Sequence, residues 1–190
     1  MKNIAIFGSG QGSNADNIIN YFKFHKNITI KLIVTNNENA GIINIAKNKK
    51  IDILILNKAT DISYENILRQ LNDNQIDFIV LAGFLLRIPP MIIAKFPNAI
   101  INIHPALLPK FGGRGMYGLN VHRAVLENKE SLSGITIHFV NSEYDKGKII
   151  FQAKCAILKN DTPKLLAKRV QKLEYQFYPI IIEKILKNGN

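Results

Sequence analysis

Five short apolar runs, Asn3 to Phe7, Ile28 to Thr35, Ile51 to Leu56, Phe78 to Ala82 and Ala99 to Ile103, alternate with segments whose apolar residues recur at helical spacing. Strands separated by helical crossovers build βαβ units and a parallel sheet, and sheet twist sets the hand of each crossover. The expected fold is therefore α/β and Rossmann-like: a mostly parallel twisted sheet with helices on both faces.

The intervening helices are expected over Asn14 to His25, Ala40 to Lys49 and Tyr64 to Asn74, and Pro89-Pro90 opens another at its first turn, where a missing N–H costs nothing. After Ile103 the rhythm changes. A Gly- and Pro-rich stretch, His104 to Gly118, precedes a short helix. Two alternating runs, Gly134 to Asn141 and Lys148 to Leu158, then read as an antiparallel hairpin. Asp161-Thr162-Pro163 offers a cap and a first-turn proline for a long amphipathic C-terminal helix carrying Leu165, Leu166, Val170, Leu173 and Phe177 on one face. With 190 residues, 47% of them hydrophobic, one domain is expected over 1–190, with an N-terminal half to about residue 100 and a C-terminal half beyond it.

No apolar run reaches the roughly 20 residues of a membrane helix, and Met1-Lys2-Asn3 leads into a strand-like run instead of a signal peptide, so a soluble, cytoplasmic protein is expected. Cys155 is the only cysteine; it reads as a small buried side chain with no chemical role. The net charge of +11 invites a nucleic-acid reading. Lysine is spread along the whole chain, however, and a cluster such as Lys47-Asn48-Lys49-Lys50 reads as a solvated helix end, so no nucleic-acid partner is expected. Monomer and homodimer both remain open.

Directly after the first strand comes Gly8-Ser9-Gly10-Gln11-Gly12-Ser13-Asn14, a turn whose backbone amides and helix start favour an anion. A dinucleotide fold would place an acidic residue at the end of the second strand to hold a ribose, whereas Glu38 comes past the strand tip. A monophosphate fits the turn at least as well as a pyrophosphate, and a tight turn without ligand stays open.

Alternation along the fifth run sends Asn102 and His104 to one face at its carboxyl end, the edge where open α/β sheets bind ligands. An amide that donates to an oxyanion, beside an imidazole that moves protons, suits acyl transfer to an amine. A lone histidine here could equally be a packed core residue, but Pro105, Leu108 and Pro109 stop the strand and stiffen the turn that follows. His104, His138 and Cys155 lack ligand spacing with supporting carboxylates, so no metal is expected. His25 and His122 read as surface or packing residues.

The segment Asn102-Ile103-His104-Pro105-Ala106-Leu107-Leu108-Pro109 resembles the N-I-H-P-S-L-L-P of the folate-dependent formyltransferases. Leu81-Ala82-Gly83-Phe84 resembles their L-A-G-F/Y, and Ser9 to Asn14 the S-G-x-G-S-N of the glycinamide ribonucleotide branch. Ile137-His138-Phe139-Val140 and Glu143-Tyr144-Asp145-Lys146-Gly147 are similar to the V-H-F-V and the acidic loop that follows it, so the likeness spans nearly the whole chain.

This resemblance implies transfer of a formyl group from 10-formyltetrahydrofolate, as co-substrate, to the amine of glycinamide ribonucleotide in purine synthesis. It implies Asn102, His104 and Asp145 as the catalytic group, Gly12, Ser13 and Asn14 at the substrate phosphate, and Glu174 holding the same substrate. Folate is expected along Leu85, Leu86, Arg87 and Ile88, beside Asn102, and along the loop Asn141, Ser142, Glu143, Tyr144 and Asp145, with His138 behind it. Two positions depart from the pattern. Asp61-Ile62-Ser63-Tyr64 stands where many relatives carry a basic residue for the folate, and Arg87 falls one position later than the arginine of several relatives. The stretch Lys110 to Gly118 is longer than in short members, and its four glycines make it a candidate lid. Among rivals, methionyl-tRNA formyltransferase carries a further C-terminal domain for which the chain is too short. Formyltetrahydrofolate deformylase typically adds an N-terminal regulatory domain, and a nicotinamide-dependent oxidoreductase or a nucleotide-binding module could use the same glycine turn.

Overall fold

The computed structural model describes residues 1–56 and 64–188. Its elements run β1 (Lys2–Phe7), α1 (Ser13–Phe22), β2 (Ile28–Thr35), α2 (Ile42–Lys49), β3 (Asp52–Ile55), α3 (Tyr64–Asp73), β4 (Phe78–Leu81), α4 (Pro90–Lys95), β5 (Ile100–His104), α5 (Leu119–Glu127), β6 (Leu132–Phe139), β7 (Ile149–Ala156) and α6 (Pro163–Asn188). The strands hydrogen-bond in the order β3-β2-β1-β4-β5-β6-β7. This is the mostly parallel, Rossmann-like sheet with an antiparallel hairpin at its C-terminal end that the alternation of runs implies. The chain divides into two compact units, Met1–Ile101 and Asn102–Lys187.

In the first unit β1 pairs in parallel with both β2 and β4, and β2 with β3. Ile4 to Phe7 are at most 1% exposed, as a central strand covered on both faces requires. Helix α1 buries Ala15, Ile18, Ile19 and Phe22, the i, i+3, i+4, i+7 stripe of an amphipathic helix. It ends at Phe22, three residues short of the expected end, because the next apolar residue, Phe24, lies off that stripe in solvent. Strand order reverses between β1 and β4. The carboxyl ends of these two strands therefore flank a topological switch point, where ligands of such sheets collect.

In the second unit β6 and β7 form the expected antiparallel pair, with Thr136 opposite Gln152. Strand β6 is buried along most of its length, whereas β7 is half-exposed throughout. Cys155 on β7 is accordingly only half-buried, a correction to its sequence reading, and burial raises its thiol above the ordinary range. Helix α6 starts at Pro163, behind Thr162, whose hydroxyl accepts the Leu165 N–H at 3.3 Å. Asp161 instead grips Arg169 through both carboxylate oxygens, and Arg169 also reaches the Ala156 carbonyl, which ties the helix to the end of β7. Among the described residues no helix is long and apolar enough to cross a membrane.

Candidate active site

The glycine turn leaves β1 at the switch point. Gly12 adopts φ +81°, and a Cβ there would stand 2.8 Å from both Cα of Ile42 and Cδ1 of Ile45, so only glycine lets the loop lie against α2. The turn delivers the chain into α1 with no side-chain cap at its start. Ser13 is exposed and Asn14 half-buried at this first turn, where helix amides face outward for an anion. Ser9, which the sequence reading left without a role, joins three strand ends. Its N–H donates to Gly83 O at 3.0 Å, and its hydroxyl donates to Asn36 Oδ1 and accepts the Leu85 N–H at 2.9 Å. Its carbonyl accepts from Asn37 Nδ2 at 3.2 Å. The residues after Gly83 are thus fixed by the same serine that starts the glycine turn. Leu85 is half-exposed, Leu86 intermediate and Arg87 exposed, while Ile88 is buried and anchors the segment. The departure at Asp61-Ile62-Ser63-Tyr64 lies outside the described residues, apart from the backbone of Tyr64 at the start of α3.

The second unit carries a cluster of four chemically active side chains. Asn102 and His104, two residues apart on β5, both reach Asp145. Asn102 Nδ2 donates to Oδ1 at 3.4 Å, and His104 Nδ1 stands 3.5 Å from Oδ2. His138 on β6 completes the group, with Nε2 3.2 Å from Asn102 Nδ2 and 3.5 Å from Asp145 Oδ1. Because His138 Nδ1 lies 2.8 Å from the Phe139 carbonyl, that nitrogen carries the hydrogen, and Nε2 accepts from Asn102. His104 Nε2 likewise lies 2.7 Å from the Phe111 carbonyl and must donate to it, which leaves Nδ1, facing Asp145, as the open nitrogen of the neutral ring.

Electrostatics divide the pair. Burial lowers the His104 pKa more than the Asp145 charge and the Phe111 carbonyl raise it, with the nearby His138 adding to the fall. Burial pushes the Asp145 carboxyl up, but the contact with His138, the charge of His104 and the Gly113 N–H together hold it below the ordinary carboxylate range. A neutral imidazole whose open Nδ1 faces an ionised carboxylate is a base poised to take up a proton, with an anion beside it to stabilise the imidazolium that forms.

Asp145 sits in a turn at φ +57°, directly after the exposed run Asn141 to Tyr144, in which Glu143 donates its N–H to Asn141 Oδ1 at 3.0 Å. Of the candidate lid, Phe111 and Gly113 bond His104 and Asp145 directly, and Arg114, Gly115, Tyr117 and Gly118 are exposed. Glu174 is half-buried on α6, one turn before the fully buried Tyr178. Burial and then the Glu174 charge hold the Tyr178 hydroxyl well above its usual range. His122 is 4% exposed on α5, and burial together with the charge of His104 lowers it to about 4. Among the described residues no group of three or more His, Cys, Asp or Glu is arranged to hold a metal ion.

This fold has counterparts among known proteins. The family model described as formyl transferase matches residues 2–182, and the chain belongs to that family. The chloroplastic phosphoribosylglycinamide formyltransferase of Arabidopsis thaliana is 41% identical over 95% of the chain and 64% of its own length. The phosphoribosylglycinamide formyltransferase of Haemophilus influenzae is 33% identical, over 96% of the chain and 86% of that protein. The crystal structure of phosphoribosylglycinamide formyltransferase from Bacillus halodurans superposes with a TM-score of 0.88 at 33% identity, covering 97% of this chain and 95% of that one. The chain spans less than two thirds of the Arabidopsis relative, 64%, and likewise of the chloroplastic phosphoribosylglycinamide formyltransferase of Vigna unguiculata, 60% at 40% identity.

Proposed function

We propose that the chain transfers the formyl group of 10-formyltetrahydrofolate to the amine of glycinamide ribonucleotide, giving formylglycinamide ribonucleotide and tetrahydrofolate in purine synthesis. The observation that carries this reading is the convergence of Asn102, His104 and Asp145, with the open nitrogen of a neutral imidazole facing an ionised carboxylate. The substrate amine attacks the formyl carbon and the new C–N bond forms. Asn102 then donates to the oxyanion by exchanging one of its present partners for it. The proton shed by the attacking amine passes to the His104–Asp145 pair, and the same pair returns a proton to the folate nitrogen as its bond to the formyl carbon breaks.

In this reading the ribonucleotide phosphate rests on Gly12, Ser13 and Asn14 at the start of α1, and Glu174 holds the rest of that substrate. The folate uses the backbone of Leu85, Leu86, Arg87 and Ile88 together with the loop Asn141, Ser142, Glu143, Tyr144 and Asp145. The stretch Lys110 to Gly118 closes over bound substrate as a lid. Holding two substrates together supplies much of the acceleration, and no step is routed through a metal. Following tetrahydrofolate release with glycinamide ribonucleotide as acceptor tests the reading; release that does not depend on the ribonucleotide would point to hydrolysis instead. Charged initiator tRNA serves as the rival acceptor and is expected to remain unformylated.

A further inference from the structure

We propose that Thr136, with Gln152 behind it, is a positioning residue that sets the geometry of the His104–Asp145 pair through the turn following β5; the proposal rests on reading that pair as the reaction centre. Thr136 is fully buried on β6, and its hydroxyl uses every bonding direction it has. It donates to Ala106 O at 2.7 Å and accepts from Leu108 N at 3.0 Å and from Gln152 Nε2 at 2.9 Å. Gln152, directly opposite on β7, gives its second amide hydrogen to Leu108 O at 2.9 Å. Two side chains of the hairpin thus hold three backbone groups of Ala106 and Leu108, immediately after His104-Pro105.

The turn acts on the reacting groups through Leu108. A Cβ at Gly112 would come within 2.5 Å of Leu108 Cδ2 and 3.1 Å of Asp145 Cβ, so Leu108 and Asp145 together fill the space beside Gly112. The neighbours of Gly112 make the decisive bonds: the Phe111 carbonyl takes the His104 Nε2 hydrogen at 2.7 Å, and the Gly113 N–H holds Asp145 Oδ2 at 2.8 Å. A turn that loses its clamp lets Leu108 shift, and with it the donor and acceptor that aim His104 and Asp145 at each other.

Thr136→Val keeps the shape and removes the hydroxyl. We expect kcat to fall roughly 10- to 100-fold, as for a displacement on the order of 1 Å at reacting groups, with both KM values nearly unchanged. Thr136→Ser restores the hydroxyl without the methyl group and is expected to recover kcat to within about threefold, at a lower Tm than the parent. Wild-type kcat in folded Thr136→Val, a rise confined to KM, or a folded Thr136→Ser with no recovery would each overturn the proposal. Should Thr136→Val not fold, Gln152→Met decides, since it removes only the two outer donors; an unchanged kcat there overturns the proposal as well. His104→Ala, run alongside, separates the two levels: if it retains kcat, the reading of the reaction centre fails, and not the clamp alone.

Discussion

The backbone N–H of Gly113 donates to Oδ2 of Asp145 at 2.8 Å, and that same oxygen faces Nδ1 of His104 at 3.5 Å. The carboxylate is therefore oriented by the loop on one side while it serves the imidazole on the other. Asp145→Asn keeps the size and removes the charge, and turnover should fall about 100-fold or more. Because the Asp145 charge raises the His104 pKa, its removal should lower that pKa further. An imidazole C–H titration followed by NMR reads this directly, and an unmoved His104 titration in the folded variant would contradict the pairing.

Asn102 gives its amide hydrogens to His138 Nε2 and Asp145 Oδ1. Asn102→Ala removes the proposed oxyanion donor, and the expected loss is on the order of 100-fold in kcat, the usual effect of deleting one such group. Single-turnover measurement isolates the chemical step. Near-normal turnover in the folded variant would remove Asn102 from the mechanism.

Ser13 and Asn14 should act on binding and little on chemistry, since a phosphate is held equally in ground and transition states. Ser13→Ala and Asn14→Ala are each expected to raise KM for the ribonucleotide several-fold, with kcat nearly constant and folate affinity intact. Calorimetric titration with each substrate separately makes the distinction. Weakened folate binding with normal ribonucleotide binding would mean the two sites had been assigned the wrong way round.

His122 links the site to acid stability. Its folded pKa is depressed to about 4, below the ordinary histidine value of 6.5, so the folded state favours the neutral ring. That preference stabilises fully above pH 6.5 and is lost as pH falls from there to about 4, in the same direction as for His104. His122→Phe removes the titrating group, so its Tm should decline less steeply between pH 6.5 and 4.5 than that of the parent. Parallel Tm curves would show that His122 contributes nothing to the acid limb.

The parallel strands are legible because burial on both faces turns them into unbroken apolar runs such as Ile4 to Phe7 and Phe78 to Leu81, and strand alternation alone places Asn102 beside His104. Contacts that join distant strand ends are not legible. Ser9 meets Asn36 and Leu85 across 27 and 76 residues, and Thr136 meets Ala106 across 30, so these partners become visible only once strand order is known. His138 carries the same lesson. Alternation marks it as a strand residue, but that its ring accepts from Asn102 depends on which strand lies beside β5. Helix ends shift by a few residues for a local reason, as at Phe22, where the buried stripe stops before the helical spacing does. The depth of His122 had a readable signal, since Val121 and Val125 flank it on a short amphipathic helix and share its buried face.

The fit of Gly12 against Ile42 and Ile45 bears on any attempt to change which anion the proposed phosphate turn accepts. Loop and helix form one mutational unit: a side chain added at residue 12 meets the backbone of α2 as well as its isoleucines, so trimming Ile42 and Ile45 cannot make room by itself. Libraries that vary residue 12 will be populated mainly by folding failures. Useful diversity lies at the exposed Ser13, and at Gly10, where a Cβ would meet nothing within 4 Å.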